Sequence, residues 1–164
     1  MERRARQDPR TRAGVTLVEL LIVVALISLL VGITFPAVGA GVDSLRLAAS
    51  ANRVASFLNA ALNRAERWQQ AVEITVEPVQ NRLRMRAMET IAERALELDE
   101  GVRIAAVHPA LPHGEEQPRR FLLLPGGTVP RITIELRNRR GTRKLVSVDP
   151  ITGVPRIETP GQER

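Results

Sequence analysis

Glu19 is a lone carboxylate in an apolar stretch: between Gly14 and Val42 no other residue is charged, and the next charge along the chain is Asp43. An ionisable side chain inside a membrane segment costs about 2.5–3.5 kcal/mol on insertion scales, so its presence calls for a partner or a function. The other residues that could do chemistry make weaker patterns. His108 and His113 flank a loop with Glu115 and Glu116. Their spacing fits no helical or hairpin ligand motif, and prolines intervene, so they read as solvated loop residues and no metal is expected. Ser44, Ser50, Ser56 and Ser147 lack a glycine-flanked elbow and a nearby histidine. Gly126-Gly127 is followed by no lysine or serine in phosphate-loop spacing. Neither an enzyme nor a cofactor is expected.

A second charged feature is basic. Arg137, Arg139, Arg140, Arg143 and Lys144 place five cations in the eight residues 137–144, around a glycine turn. Such a turn serves most simply as a solvated guard against edge-to-edge aggregation. The functional alternative, centred on Arg139, Arg140 and Arg143, is a contact for phosphates or an acidic partner, with an affinity that falls steeply as salt rises.

These residues must be positioned by a small scaffold. The chain has 164 residues and a formal net charge of +6; residues 1–14 hold five arginines against Glu2 and Asp8, so +3 of that charge lies ahead of Val15 and +3 after it. Leu20–Val42 is an uncharged run of 23 residues, long enough to span a bilayer with some tilt. Arginines on its N-terminal flank place that end in the cytoplasm and the rest across the membrane. An ordinary signal peptide cut near Ala37-Val38-Gly39 is an alternative, but its apolar region has no use for Glu19. A plain single-pass anchor is another. Cysteine is absent, which excludes disulfides and thiolate chemistry. The aromatic stock, Phe35, Phe57, Trp68 and Phe121, is too small for a nucleic-acid stacking platform.

Residues 43–70 contain no proline or glycine and read as an amphipathic helix, with Leu47, Ala51, Val54, Leu58, Ala61, Ala65 and Trp68 along one seam. Gly32, Pro36, Gly39 and Gly41 mark a weak zone if the helix runs on from the apolar stretch. From Ala71 the period becomes two. A hairpin with a four-residue loop pairs Glu77 with Arg82, Val76 with Leu83, Thr75 with Arg84, Ile74 with Met85 and Glu73 with Arg86, which makes the arginines a charge ladder on a sheet surface. Residues 89–100 leave a short helix and an irregular strand both open. Further strands are expected at 101–107, 120–124, 131–137 and 144–148, with a last short one near Ile157. Helix first and antiparallel strands after it give an α+β domain whose small sheet packs on the helix seam.

A basic leader, then glycine, four residues and glutamate at the head of an apolar helix resemble the processing signal of type IV prepilins and type II secretion pseudopilins. The resemblance implies cleavage by prepilin peptidase between Gly14 and Val15, N-methylation of Val15, and a role for Glu19 in assembly. Val15 departs from the usual phenylalanine or methionine. Cutting there leaves an α-amino group roughly 6 Å along the helix from Glu19, and a neighbouring subunit's amine is the natural partner of that carboxylate. Leu58–Val76 and the pattern Phe121, Pro125-Gly126-Gly127, Val146-Ser147-Val148-Asp149, Gly153, Arg156-Ile157 resemble minor pseudopilin H and its relative FimT (the GspH/FimT family). Implied is a pilin-like fold, a long N-terminal helix, half in membrane and half amphipathic, on a small antiparallel domain: leader 1–14, transmembrane and assembly helix 15–42, periplasmic domain 43–164 with helix 43–70 and β-rich region 71–158. Implied partners are the peptidase, other pseudopilins and inner-membrane lipid. The rival reading is a FimT-like minor type IV pilin that takes up DNA. Such relatives carry glycine-arginine-x-arginine near the C-terminus; this chain reads Gly153-Val154-Pro155-Arg156, with the second arginine alone, so DNA is not expected as a partner. An unrelated membrane-anchored binding module is a third reading.

Overall fold

The computed structural model describes residues 15–88, 93–110 and 117–160, apart from the side chains of 33–38 and 40. Helix α1 runs Leu17–Trp68 and is followed by eight strands: β1 (Val72–Glu77), β2 (Arg82–Ala87), β3 (Glu93–Glu97), β4 (Val102–His108), β5 (Arg119–Leu123), β6 (Thr133–Asn138), β7 (Arg143–Val148) and β8 (Pro155–Glu158). The chain divides into two compact units, Met1–Val38 and Gly39–Arg164.

In the second unit the helix seam is buried as its spacing requires. Leu47, Ala51, Val54, Leu58, Ala61 and Ala65 join the inner faces of the strands in one apolar core. Trp68, the last residue of the expected seam, is instead 62% exposed. The helix ends there: Gln69 turns left-handed (φ 50°) and the Gln70 N–H reaches back to the Ala65 carbonyl at 3.3 Å, a Schellman-type stop. Polar ties supplement the core. Ser50 Oγ donates to Asp99 at 2.8 Å, Arg53 pairs with the same carboxylate at 2.5 Å, and Glu66 accepts the Gly126 N–H at 3.0 Å. The Ser50 hydrogen bond, then the Arg53 charge, hold the Asp99 carboxyl below its ordinary range.

The strands form two antiparallel four-stranded sheets, not the one small sheet expected: sheet A in the order β3-β2-β1-β5 and sheet B in the order β4-β6-β7-β8. Alternation says which side chains face the core but not which sheet a strand joins; the chain crosses from A to B at Gly101 (φ 86°), returns for β5 and crosses again. Residues 93–97 are a strand, which settles the open reading for the described part of 89–100. The β1–β2 register is the expected one at every pair from Glu73↔Arg86 to Glu77↔Arg82. Its polar face is less solvated than expected. Glu77 is 5% exposed, with both Arg82 and Arg84 folded over its carboxylate. The Arg82 hydrogen bond, foremost, holds the Glu77 carboxyl low against the cost of burial.

The hairpin loop also joins the sheets. Asn81 (φ 53°) donates through Nδ2 to the Val102 carbonyl at 2.7 Å and accepts the Ile104 N–H on Oδ1 at 2.9 Å. An asparagine tolerates the left-handed backbone and carries a donor and an acceptor on one short arm. In β4 the register shifts between Ile104 and Ala106, so Val102, Ile104 and Val107 are all buried where strict alternation would turn Val107 outward.

Candidate functional site

The N-terminal residues that sequence singles out lie at the start of α1. Gly14 lies outside the described residues. Val15 is 72% exposed, and the Thr16 hydroxyl accepts the Glu19 N–H at 3.2 Å. Thr16 is therefore the N-cap and Glu19 the N3 position, the Thr-x-x-Glu spacing of a capping box. Thr16 is a further residue of this site, and the Thr-x-x-Glu spacing ahead of an apolar run is its signal in the sequence. The cap accounts for Glu19 as a first-turn acid that the helix dipole favours. It leaves the carboxylate without a side-chain partner among the described residues, open to a group from outside the chain.

From Leu17 to Val31 the large apolar side chains are all at least 49% exposed, on every side of the helix. Apolar all round, such a helix needs cover from lipid or protein. Ser28 satisfies its own hydroxyl by donating to the Val24 carbonyl at 2.8 Å. Among the described residues no helix is long and apolar enough to cross a membrane; within the uncharged stretch that the sequence carries to Val42, the side chains of 33–38 and 40 lie outside those described.

The basic turn belongs to the second unit. Buried Asn138 organises it, its Oδ1 accepting the N–H groups of Arg140 (3.1 Å) and Thr142 (2.9 Å), with Gly141 left-handed at φ 85°. The three arginines go to three different carboxylates: Arg139 to Glu100 at 2.5 Å, Arg140 to Asp43 at 3.2 Å and Arg143 to Glu135 at 3.6 Å. Strand pairing adds a residue that linear distance hid. Arg103 on β4 stands opposite Arg137 on β6, which stands opposite Arg143 on β7, so three arginines form a row across sheet B. His108 is exposed at the end of β4, while His113, Glu115 and Glu116 lie outside the described residues.

A long N-terminal helix packed through its C-terminal half on antiparallel sheets is the pilin-like architecture. The model of the prokaryotic N-terminal methylation motif matches residues 9–35, the segment that holds Gly14, Val15 and Glu19. Among solved structures the chain is similar to the minor pseudopilin EpsH from the type 2 secretion system of Vibrio cholerae, at a TM-score of 0.54 and 15% identity, over 71% of this chain and 99% of that one. No curated protein matches the chain in sequence.

Proposed function

We propose that this chain is a minor pseudopilin of a type II secretion system, cut by prepilin peptidase between Gly14 and Val15, N-methylated at Val15, and assembled with other pseudopilins into a periplasmic filament. The observation that carries this reading is Glu19: its backbone is capped by Thr16 at the head of an apolar helix, within the methylation motif, and its carboxylate has no side-chain partner among the described residues. A free α-amino group on Val15 of an adjacent subunit supplies the missing charge, and the exposed apolar faces of Leu17–Val31 supply the packing between subunits and with lipid. The chain then spans the inner membrane once through residues 15–42, with its N-terminus cytoplasmic and residues 43–164 periplasmic. The action is assembly; no catalytic step and no cofactor enter it. The pilin-like fold supports the reading. DNA is not part of it: of the glycine-arginine-x-arginine pattern the chain keeps only Arg156, and it has few aromatic residues to stack on bases.

Processing tests it. With a prepilin peptidase co-expressed, the mass of the mature chain should correspond to an N-terminus at Val15, and Gly14→Leu should block the cut. Cleavage after Gly39 would overturn the proposal.

A further inference from the structure

The row Arg103, Arg137 and Arg143 is a fold-level liability. Like charges directly opposite on neighbouring strands destabilise a sheet, and here they repeat over three strands. One carboxylate, Glu135, serves both Arg137 (3.2 Å) and Arg143 (3.6 Å), and Arg103 has no ion pair among the described residues. Arg139 and Arg140 extend the cluster into the turn. Counting Asp43, Glu100 and Glu135 against the five arginines leaves +5 minus 3, or +2, at this end of sheet B. A cleft of about 450 Å³ opens there, lined by Arg103 and Arg139 with Gly101, Val102 and Asn138.

The location of this cationic end says what it meets. Arg140 pairs with Asp43, the first charge after the uncharged run that ends at Val42. Its guanidinium also lies 3.4 Å from where a Cβ on Gly39 would stand. The turn is thus packed beside the helix at the level where the apolar run gives out.

We infer that the end of sheet B carrying Arg103, Arg137, Arg139, Arg140 and Arg143 is a docking surface for anionic phospholipid headgroups at the membrane face. This rests on the reading that the residues before Asp43 lie in a bilayer. Planar guanidinium groups match phosphodiester oxygens in a two-pronged geometry, and the cleft between Arg103 and Arg139 gives one headgroup a seat. An anionic surface relieves the repulsion within the row. Each cation near such a surface is worth roughly fivefold in partition.

The chain has no cysteine, so Thr142→Cys, at an exposed turn position, gives a single thiol for a fluorophore. The full processed chain, so labelled, is reconstituted in nanodiscs of phosphatidylcholine alone or mixed with phosphatidylglycerol, and quenching by headgroup-spin-labelled lipid is read. Strong quenching is expected in the anionic discs only. The pair Arg103→Gln and Arg143→Gln should lower the docked-to-undocked ratio roughly tenfold or more without loss of thermal stability, since it thins a like-charge row. The corresponding Lys pair should keep docking. Equal quenching in both lipids, or an unchanged response in the Gln pair, overturns the inference while insertion of the chain leaves the pseudopilin reading intact. Failure of the chain to co-elute with either disc overturns both. Duplex DNA that binds tightly through these arginines and displaces the domain from anionic discs would reassign the surface to nucleic acid and overturn the lipid assignment.

Discussion

Asn81→Ala should be among the most damaging single substitutions in the β domain. The side chain bridges the sheet A hairpin to β4 of sheet B through bonds of 2.7 and 2.9 Å, to backbone groups of two buried residues, Val102 and Ile104. Removing it strands one carbonyl and one N–H. A buried polar group left unsatisfied costs about 1–3 kcal/mol; because these bonds are partly solvent-accessible, about 1–2 kcal/mol each is appropriate, or about 2–4 kcal/mol together. Alanine also inherits the left-handed backbone at φ 53°, worth about 1 kcal/mol more. Asn81→Gly loses the same bonds without that strain, so it should fall short of the alanine cost by about 1 kcal/mol. Against a typical domain stability of about 5–15 kcal/mol this is a large share. Urea titration of the full chain in micelles, followed by far-UV circular dichroism, measures the loss, and amide exchange at Ile104 reports it locally. A loss below about 1 kcal/mol for Asn81→Ala, or unchanged protection at Ile104, would refute the view that this side chain holds the two sheets together.

Glu77 and Asp99 have carboxyls held below their ordinary values of 4.5 and 3.8, so the stability they contribute is complete above those values and is lost as pH falls through the lower folded ones. The urea midpoint should be flat from about pH 7 to about pH 5 and decline below about pH 4, less steeply in Glu77→Gln; an alkaline decline with a flat acid limb would contradict this. Gln69→Gly, at the left-handed helix stop, should raise the melting midpoint by the equivalent of about 0.5–1 kcal/mol, and a fall would show that the Gln69 bond to the Glu66 carbonyl (2.7 Å) outweighs the backbone strain. Thr16→Val removes the hydroxyl cap on Glu19 and should fray the first turn of α1, costing about 1 kcal/mol, seen as faster amide exchange at Glu19.

Much of the fold was legible because two periodicities are local. Residues spaced three and four apart from Leu47 to Ala65 all reach the core, and the alternation of 72–77 against 82–87 sets a register that one slipped residue would have turned inside out. What stayed hidden depends on distant neighbours. Glu77 reads as solvated opposite Arg82, because nothing in the alternation shows that Arg84, opposite Thr75, also reaches over to its carboxylate. The assignment of strands to two sheets, the offset in β4 and the meeting of Arg103 with Arg137 and Arg143 arise from pairings made across tens of residues. At the candidate site the lone charge of Glu19 is plain in the sequence, and the methylation-motif model covers it at residues 9–35; the Thr16 cap is written there too, as Thr-x-x-Glu, but a hydroxyl three residues ahead of a carboxylate is a cap only once the helix is known to start there.

The pairing proposed between the Glu19 carboxylate and the Val15 amine of an adjacent subunit can be tested directly. Site-directed crosslinking in membranes that hold the other pseudopilins, from one cysteine introduced near the start of α1, compares the processed wild-type chain with Glu19→Ala. Both chains should insert in the membrane and the wild type should crosslink to neighbouring pseudopilins, whereas Glu19→Ala should do so weakly or not at all, with secretion reduced in step. Equal crosslinking and equal secretion in both would contradict it.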